Sequence, residues 1–294
     1  MKYKIRHITE YLYAEPVSHC YNLAHLIPRT TQRQRCLWSQ VQVHPVTAAS
    51  AKREDYFGNH CYHFEIQRPH EKLIIESSSE VETSAQLTAN ELDFSFSCQQ
   101  VRERMQTSKD PELLLAREFM LDSPMIKASD ELRAYAEPSF APDRPLLSAV
   151  MELTQRIYRE FDYCPEATTV ATPLSEVLAL KKGVCQDFAH LQIGCLRALG
   201  YAAKYVSGYI ETLPPPGQEK LVGSDASHAW ISVYSPGEGW IEFDPTNNCM
   251  AHEQHIITAW GRDYFDVTPL QGVIFGGGEK PVLNVSVDVA RLTG

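Results

Sequence analysis

The first hundred residues alternate apolar and polar side chains in short runs, with the period of two that is typical of β-strands. Such runs extend from Lys2 to Tyr13, from Cys36 to Val43 and from Leu73 to Thr83. The sequence Phe57-Gly58-Asn59 separates two further runs, and glycine and asparagine tolerate the positive φ of a tight turn. We therefore predict an N-terminal antiparallel, β-sandwich-like domain over residues 1–105.

The apolar period lengthens to that of helices after about residue 108. Asp110 before Pro111 is a typical helix start, Ser123-Pro124 ends that helix, and Ser129 is a typical cap for the next one. The predicted helices cover residues 112–121, 129–135, 145–161 and 173–180.

A further helix is predicted between Gly183 and Gly200, in the sequence GVCQDFAHLQIGCLRALG. Its apolar side chains recur at helical spacing, and Gly200 stands where a left-handed cap would end the helix. Cys185 therefore falls in the first turn. Unpaired backbone N–H groups and the positive end of the helix dipole favour a thiolate over a thiol at that position.

The β pattern returns after this helix. Residues 201–210 predict a strand, and Pro214-Pro215-Pro216-Gly217 predicts an exposed loop. The sequences HAWISVY and WIEFD flank the turn sequence SPGEG and predict a β-hairpin. A hairpin places the start of its first strand beside the end of its second, so we expect His228 and Asp244 side by side.

The end of the chain predicts a turn-rich segment over residues 261–278 and a last strand over residues 281–292, which can join either sheet. Together these segments predict an α+β protein. The N-terminal β domain is followed by a second domain, residues 106–294, in which helices pack on an antiparallel sheet.

Composition narrows the classes of partner. The 294 residues carry a net charge of −10 without a cluster of basic residues, which disfavours a nucleic-acid partner. No run approaches the roughly 20 apolar residues of a membrane span, and the first residues lack the apolar core of a signal peptide. The eight cysteines have no compact spacing, so we expect reduced thiols and a cytoplasmic protein. Nothing in the pattern indicates an oligomeric state.

Cysteine, histidine and aspartate in this arrangement have the chemistry of a catalytic triad. Cys185 would attack an acyl carbon, His228 would protonate the leaving amine, and Asp244 would hold the imidazole and stabilise its charged form. We expect the backbone N–H of Cys185 to stabilise the oxyanion, with the Tyr163 hydroxyl as the candidate second donor. Gln186 is expected to shape the cleft or to satisfy a donor at the helix start.

The remaining cysteines and histidines have simpler expected roles. Cys195 is expected to pack in the core and His190 to pack or hydrogen-bond, and a buried packing role is also the alternative for Cys185 taken alone. The sequences His60-Cys61-His63 and Cys249-His252-His255 contain ligand types for zinc. Zinc needs three or four convergent ligands, and neither cluster has an obvious distant partner. We therefore predict no metal site and no cofactor.

Several motifs resemble those of the bacterial transglutaminase-like superfamily, whose members include cysteine proteases. The motifs are DYFGN at 55–59, GVCQDFAH at 183–190, KYVSGYI at 204–210, SHAW at 227–230, DPTNN at 244–248 and GRDYFDVTPLQGVIFGG at 261–277. The resemblance covers nearly the whole chain. It implies a transglutaminase-like N-terminal β domain followed by a papain-like catalytic core, and it implies the triad roles for Cys185, His228 and Asp244.

The predicted function is hydrolysis of an amide or peptide bond through a thioester, with a peptide or protein as the substrate. Two alternatives stay open. The first is transfer of the acyl group of a protein glutamine to an amine, which uses the same residues. The second is a binding or assembly role on the same fold without catalysis.

Overall fold

The computed structural model describes residues 1–85, 89–212 and 227–292 of the chain. These residues form an N-terminal antiparallel sheet, a group of helices and a second antiparallel sheet, which confirms the predicted α+β class. The predicted loop at Pro214-Pro215-Pro216-Gly217 lies outside the described ranges. Within those ranges, no helix combines the length and the apolar character that crossing a bilayer requires.

The N-terminal sheet is organised around its first strand, which is 23 residues long. Its first five strands are β1 (Lys2–Ala24), β2 (Gln34–His44), β3 (Ala49–Glu54), β4 (His60–Ile66) and β5 (His70–Thr83). They lie in the order β2-β5-β1-β4-β3 and belong to one continuous sheet. The predicted alternation of β1 is confirmed, because Tyr3, Ile5, His7 and Thr9 are all buried.

Helices fill the middle of the chain. They are α1 (Cys98–Thr107), α2 (Pro111–Ala116), α3 (Asp130–Ala136), α4 (Leu146–Glu160), α5 (Leu174–Leu180) and α6 (Cys185–Ala198), with the short strands β6 (Asp162–Tyr163) and β7 (Lys182–Gly183) among them. The predicted cap at Ser129 is confirmed, since its hydroxyl accepts a hydrogen bond from the Leu132 N–H. The first α-helix begins earlier than predicted, at Cys98. That helix buries only Cys98, Val101 and Met105, so its apolar period is weak in the sequence.

The second sheet carries the predicted hairpin. Its strands are β8 (Ala203–Ile210), β9 (Ser227–Ser235), β10 (Gly239–Asp244), β11 (Cys249–Met250) and β12 (His255–Gly261), in the order β11-β10-β9-β8-β12. Strands β9 and β10 pair antiparallel, with Gly239 opposite Ser235. Gly237 in the turn has a φ of 99°, a conformation that glycine adopts without strain. Helix α6 packs against β8 and β9, which sets Cys185 beside the hairpin.

The chain ends in the N-terminal sheet. Strands β13 (Leu270–Gly276) and β14 (Val282–Arg291) pair antiparallel with two successive segments of β1, Val17–Ala24 and Tyr3–Leu12. The last strand, which the sequence allowed in either sheet, therefore lies in the first one. The segment 261–278, predicted to be turn-rich, also contains the strand β13. That strand is exposed over most of its length, so it lacks the apolar alternation by which a half-buried strand is recognised.

Candidate active site

Cys185 is the first residue of α6, as predicted, and it follows β7 and the extended cap residue Val184. A Cβ atom at Gly183 would lie 2.7 Å from Asp187 Oδ2, so a residue without a side chain is needed there. Asp187 Oδ2 accepts hydrogen bonds from the Val184 N–H at 2.8 Å and from the Thr168 hydroxyl at 2.7 Å. Asp187 thus anchors the turn that holds Cys185 at the start of the helix.

His228 and Asp244 meet at the end of the β9–β10 hairpin. His228 Nε2 lies 2.7 Å from Asp244 Oδ2, and both residues are buried. Because Nε2 is bound to the carboxylate, Nδ1 is the ring nitrogen left for Cys185, which lies close enough to raise the pKa of the imidazole. The contact between His228 and Asp244 is the one that the predicted hairpin implied.

Electrostatics favour the charged form of this imidazole. Burial by itself lowers the pKa of His228, but hydrogen bonds with Asp244 and Cys185 outweigh it and raise the pKa to about 10. Burial likewise raises the pKa of Asp244, but hydrogen bonds from His228 and His255 outweigh it and hold this pKa far below its usual range. His228 and Asp244 therefore form a buried ion pair at neutral pH.

Asp244 has a second imidazole partner that the sequence interpretation missed. His255, at the start of β12, is fully buried and lies with its Nε2 3.0 Å from Asp244 Oδ2. The His252 N–H donates to His255 Nδ1 at 3.2 Å, which leaves the ring hydrogen on Nε2 to donate to Asp244. The sequence signal existed only as the Cys249-His252-His255 spacing, which suggested zinc ligands rather than a partner for Asp244.

The turn that follows β10 also closes around the carboxylate. Asp244 Oδ1 accepts hydrogen bonds from the backbone N–H groups of Thr246 at 2.9 Å and Asn247 at 3.1 Å. The Asn247 side-chain amide donates to Asp244 Oδ2 at 2.6 Å. Because all of these groups are donors, they stabilise the negative charge and fix the orientation of the carboxylate.

A chain of buried contacts connects the site to the N-terminal region. The His228 ring stacks on Trp230 with ring centroids 5.9 Å apart. Trp230 Nε1 donates to Glu242 Oε2 at 2.6 Å. Arg33, which follows β1, binds both oxygens of Glu242 at 2.9 and 2.6 Å. The N-terminal region thus supports the residue on which His228 stacks.

The two cleft candidates lie at the Cys185 end of the site. Tyr163 is 59% exposed, and its pKa is raised by burial of part of the ring and by the charge of the nearby Cys185. Gln186 donates from its side-chain amide to the Val170 carbonyl at 3.3 Å. Tyr205 and Tyr264 also have raised pKa values, from burial and then in part from Cys185. The sequence did not single out these two tyrosines, because they come from a strand and a loop distant along the chain.

The other cysteine and histidine of α6 have the predicted roles. Cys195 is fully buried in the core, and burial raises its pKa to about 12. His190 Nε2 accepts a hydrogen bond from the Tyr264 N–H at 3.1 Å, and burial lowers its pKa to about 4. Neither residue competes with Cys185 or His228 for the chemistry of the site.

Known proteins resemble both halves of the chain. Residues 3–82 match the bacterial transglutaminase-like N-terminal region, and residues 133–245 match the transglutaminase-like superfamily. An uncharacterized protein of Mycobacterium tuberculosis is 41% identical over 297 residues, which cover 100% of this chain and 94% of that protein. Another, of Mycobacterium leprae, is 32% identical and covers 98% of each chain.

Two relatives carry a description of activity. A protein-glutamine gamma-glutamyltransferase of Pseudomonas aeruginosa is 34% identical over 123 residues, 40% of this chain and 17% of that protein. A solved candidate cysteine protease of Cytophaga hutchinsonii has the same fold, with a TM-score of 0.77 at 24% identity over 100% of this chain and 91% of that chain. With the full-length mycobacterial matches, these findings show that the chain belongs to the transglutaminase-like superfamily.

Proposed function

We propose that the protein hydrolyses an amide or peptide bond through a thioester on Cys185. The observation that carries this proposal is the position of the His228 imidazole, which is bonded to Asp244 by Nε2 and lies near Cys185 at the start of α6. Cys185, His228 and Asp244 are called the triad below. An imidazole in this position can take the thiol proton and later give it to a leaving group.

Acylation begins from a Cys185 thiolate paired with a protonated His228. The sulfur bonds to the substrate carbonyl carbon, and the carbonyl oxygen becomes an oxyanion. When the intermediate collapses, the C–N bond breaks and His228 gives its proton to the leaving amine or ammonia. Asp244 keeps its negative charge throughout and stabilises the imidazolium.

Deacylation uses the same groups in reverse. Neutral His228 takes a proton from water, and the resulting hydroxide attacks the thioester carbon. The C–S bond breaks, and the acid product and the thiolate are released. In both steps the N–H of Cys185 at the start of α6 is the natural oxyanion donor, and Tyr163 is the proposed second donor. Removing one such donor typically costs about 2.7–4 kcal/mol of transition-state stabilisation.

Acyl transfer is the second candidate function. The similarity of 123 residues to a protein-glutamine gamma-glutamyltransferase favours it. Hydrolysis and acyl transfer share the thioester and differ only in the acceptor, which is water in the first and an amine in the second. An amine in place of water would then give an isopeptide product. A peptide or protein substrate follows from either reaction.

The cytoplasmic location stays a prediction from the free cysteines.

The deciding experiment offers the protein glutaminyl peptides, a peptide and isopeptide library and a labelled primary amine. Hydrolysis products, ammonia and incorporated label are measured for the wild type and for Cys185→Ala. We expect hydrolysis to exceed incorporation, and Cys185→Ala to lose both. Cys36→Ser, a change at a half-buried cysteine of β2, is the matched control. Incorporation faster than hydrolysis would replace the hydrolase assignment by acyl transfer, and full activity of Cys185→Ala would refute both.

A further inference from the structure

A second group of cysteine, histidine and aspartate lies in the N-terminal sheet. His25 directly follows β1, Asp55 opens the DYFGN turn between β3 and β4, and Cys61 lies in β4. One potential ligand atom from each residue lies within 4.8 Å of the other two. His25 and Cys61 are only 3% and 2% exposed. These three residues are called the His25 cluster below.

Hydrogen bonding shows which ring nitrogen of His25 is available. Nδ1 lies 3.0 Å from the Thr268 carbonyl oxygen, so Nδ1 carries a hydrogen and donates it. In the neutral ring Nε2 then presents a lone pair to Asp55 Oδ2, 3.5 Å away, and to the sulfur of Cys61. The three ligand atoms thus converge closely enough to bind one ion between them.

The spacing fits a zinc ion. Bonds of about 2.0–2.2 Å from zinc to nitrogen and oxygen, at a tetrahedral angle, place those two atoms about 3.3–3.5 Å apart. The 3.5 Å between His25 Nε2 and Asp55 Oδ2 lies at the upper end of that range. A donor set of nitrogen, sulfur and oxygen also suits zinc better than the all-oxygen sites of calcium and magnesium.

The groups around the cluster orient its ligands in the way that metal sites require. A metal-binding histidine usually donates its second N–H to a carbonyl or carboxylate, as His25 does to Thr268. Asp55 is fixed by the Phe57 and Asn59 N–H groups on Oδ1, both at 2.8 Å, and by the Asn59 side chain on Oδ2 at 2.7 Å. The ligands are therefore oriented before any ion binds.

We propose that His25, Asp55 and Cys61 bind one zinc ion, with water in the fourth position. The Asp55 side chain is 21% exposed and provides the open side for that water and for entry of the ion. On binding, the protons of the Cys61 thiol and of His25 Nε2 pass to solvent, and His25 keeps the hydrogen on Nδ1. This proposal is independent of the proposed function.

A zinc ion here would act on stability at the junction of the two parts of the chain. It would join the end of β1, the DYFGN turn and, through the Thr268 carbonyl, the loop before β13. That loop also contains Tyr264, which lies near Cys185. The zinc would thus hold the loop that borders the triad without taking part in its chemistry.

A matched control exists in the same sheet. Cys20 Sγ lies 3.9 Å from His70 Nε2, and His70 Nδ1 lies 2.9 Å from the Arg68 carbonyl oxygen. This pair therefore has the same cysteine, histidine and backbone carbonyl partner as the His25 cluster. Among the residues that the structure describes, no carboxylate completes it to a three-ligand group. The Cys20→Ser variant therefore removes a buried cysteine beside a histidine without touching the His25 cluster.

The test uses the full chain without a histidine tag and in a Cys185→Ala background, so that the triad contributes no thiolate. After chelation and dialysis the protein is titrated with Zn²⁺ and, separately, with Co²⁺. Metal content is measured by mass spectrometry, and the thiolate-to-cobalt absorption band is recorded. We expect one metal ion per chain, a thiolate band and a higher melting temperature with zinc.

The variants Cys61→Ser and His25→Gln should lose the bound metal and the rise in melting temperature, and Cys61→Ser should also lose the thiolate band. Cys20→Ser should keep all three. Circular dichroism checks that each variant folds. If a variant fails to fold, the zinc content and the thiolate band of the Cys185→Ala parent decide the question alone. Absence of stoichiometric zinc and of a thiolate band in the parent would overturn the proposal and leave the cluster joined by hydrogen bonds. Metal that persists in folded Cys61→Ser would also overturn it.

Discussion

The triad and the His25 cluster contain the same three residue types but connect them differently. In the triad the imidazole uses Nε2 for the carboxylate, which leaves its other nitrogen for the thiol. In the His25 cluster, Nδ1 donates to a backbone carbonyl, and the carboxylate and sulfur both face the remaining nitrogen. Composition is equal in the two places, so the difference in chemistry lies in the geometry alone.

That difference decides what each site can do. A proton can pass from sulfur to ring to substrate only when the ring lies between its partners, as in the triad. Ligands that converge on one point instead leave room for a cation. Exposure agrees with this division, because Cys185 is half-buried at a helix start and Cys61 is buried in a strand.

Among variants that keep Cys185, the largest expected effect is that of Asp244→Asn. An amide at this position offers His228 a different hydrogen-bond pattern and cannot stabilise the imidazolium, so we expect kcat to fall by about 10⁴-fold. The measurement is steady-state hydrolysis of the peptide substrate found in the library. Cys20→Ser, which lies outside both sites, should keep wild-type kcat. A loss smaller than about tenfold would mean that the triad does not work by the proposed mechanism.

Alkylation distinguishes the two cysteines directly. Iodoacetamide followed by peptide mapping should modify Cys185 on the order of a hundredfold faster than Cys61, because a thiolate beside an imidazolium reacts and a buried structural cysteine does not. Cys195, fully buried in α6, is the internal control for a protected thiol. Equal rates at Cys185 and Cys195 would favour the non-catalytic alternative.

The placement of Cys185, His228 and Asp244 could be predicted from sequence because it follows from local patterns. The spacing of α6 placed Cys185 at a helix start, and one hairpin brought His228 beside Asp244. His255 could not be found in this way. It starts β12, an edge strand that β8 and β9 separate from β10, so the strand pattern gives no reason to place its ring on Asp244.

The His25 cluster was missed for the same reason. The sequence drew attention to His60-Cys61-His63, but of these only Cys61 is buried. Its neighbours in space follow from the pairing of β1 with β4, in which Ala24 lies opposite Tyr62. Long-range register of this kind is set by packing across the sheet and is not written in any local motif.

Removal of the second imidazole should have an intermediate effect. His255→Leu takes one donor from the buried Asp244, and a hydrogen bond to a charged group contributes about 1.5–3 kcal/mol, so kcat should fall about 10- to 100-fold. In His255→Gln the side-chain amide can replace the lost donor and should recover about tenfold. Melting temperatures of both variants separate catalysis from stability. Equal activity of the two variants would show that His255 only fills space.

The smallest expected change is the pH dependence of the His228 ring. Burial lowers the pKa of His228, but hydrogen bonds with Asp244 and Cys185 outweigh burial and raise this pKa to about 10. The charge of His228, and the stability of its pair with Asp244, are therefore complete below the ordinary value of about 6.5 and lost as pH rises through about 10. The NMR chemical shifts of the His228 ring protons should accordingly change little between about pH 7 and about pH 9. The His228→Gln variant identifies these signals by their loss. A ring that titrates near the ordinary value would mean that Asp244 does not hold the imidazolium, and the contrast between the two sites would then rest on burial alone.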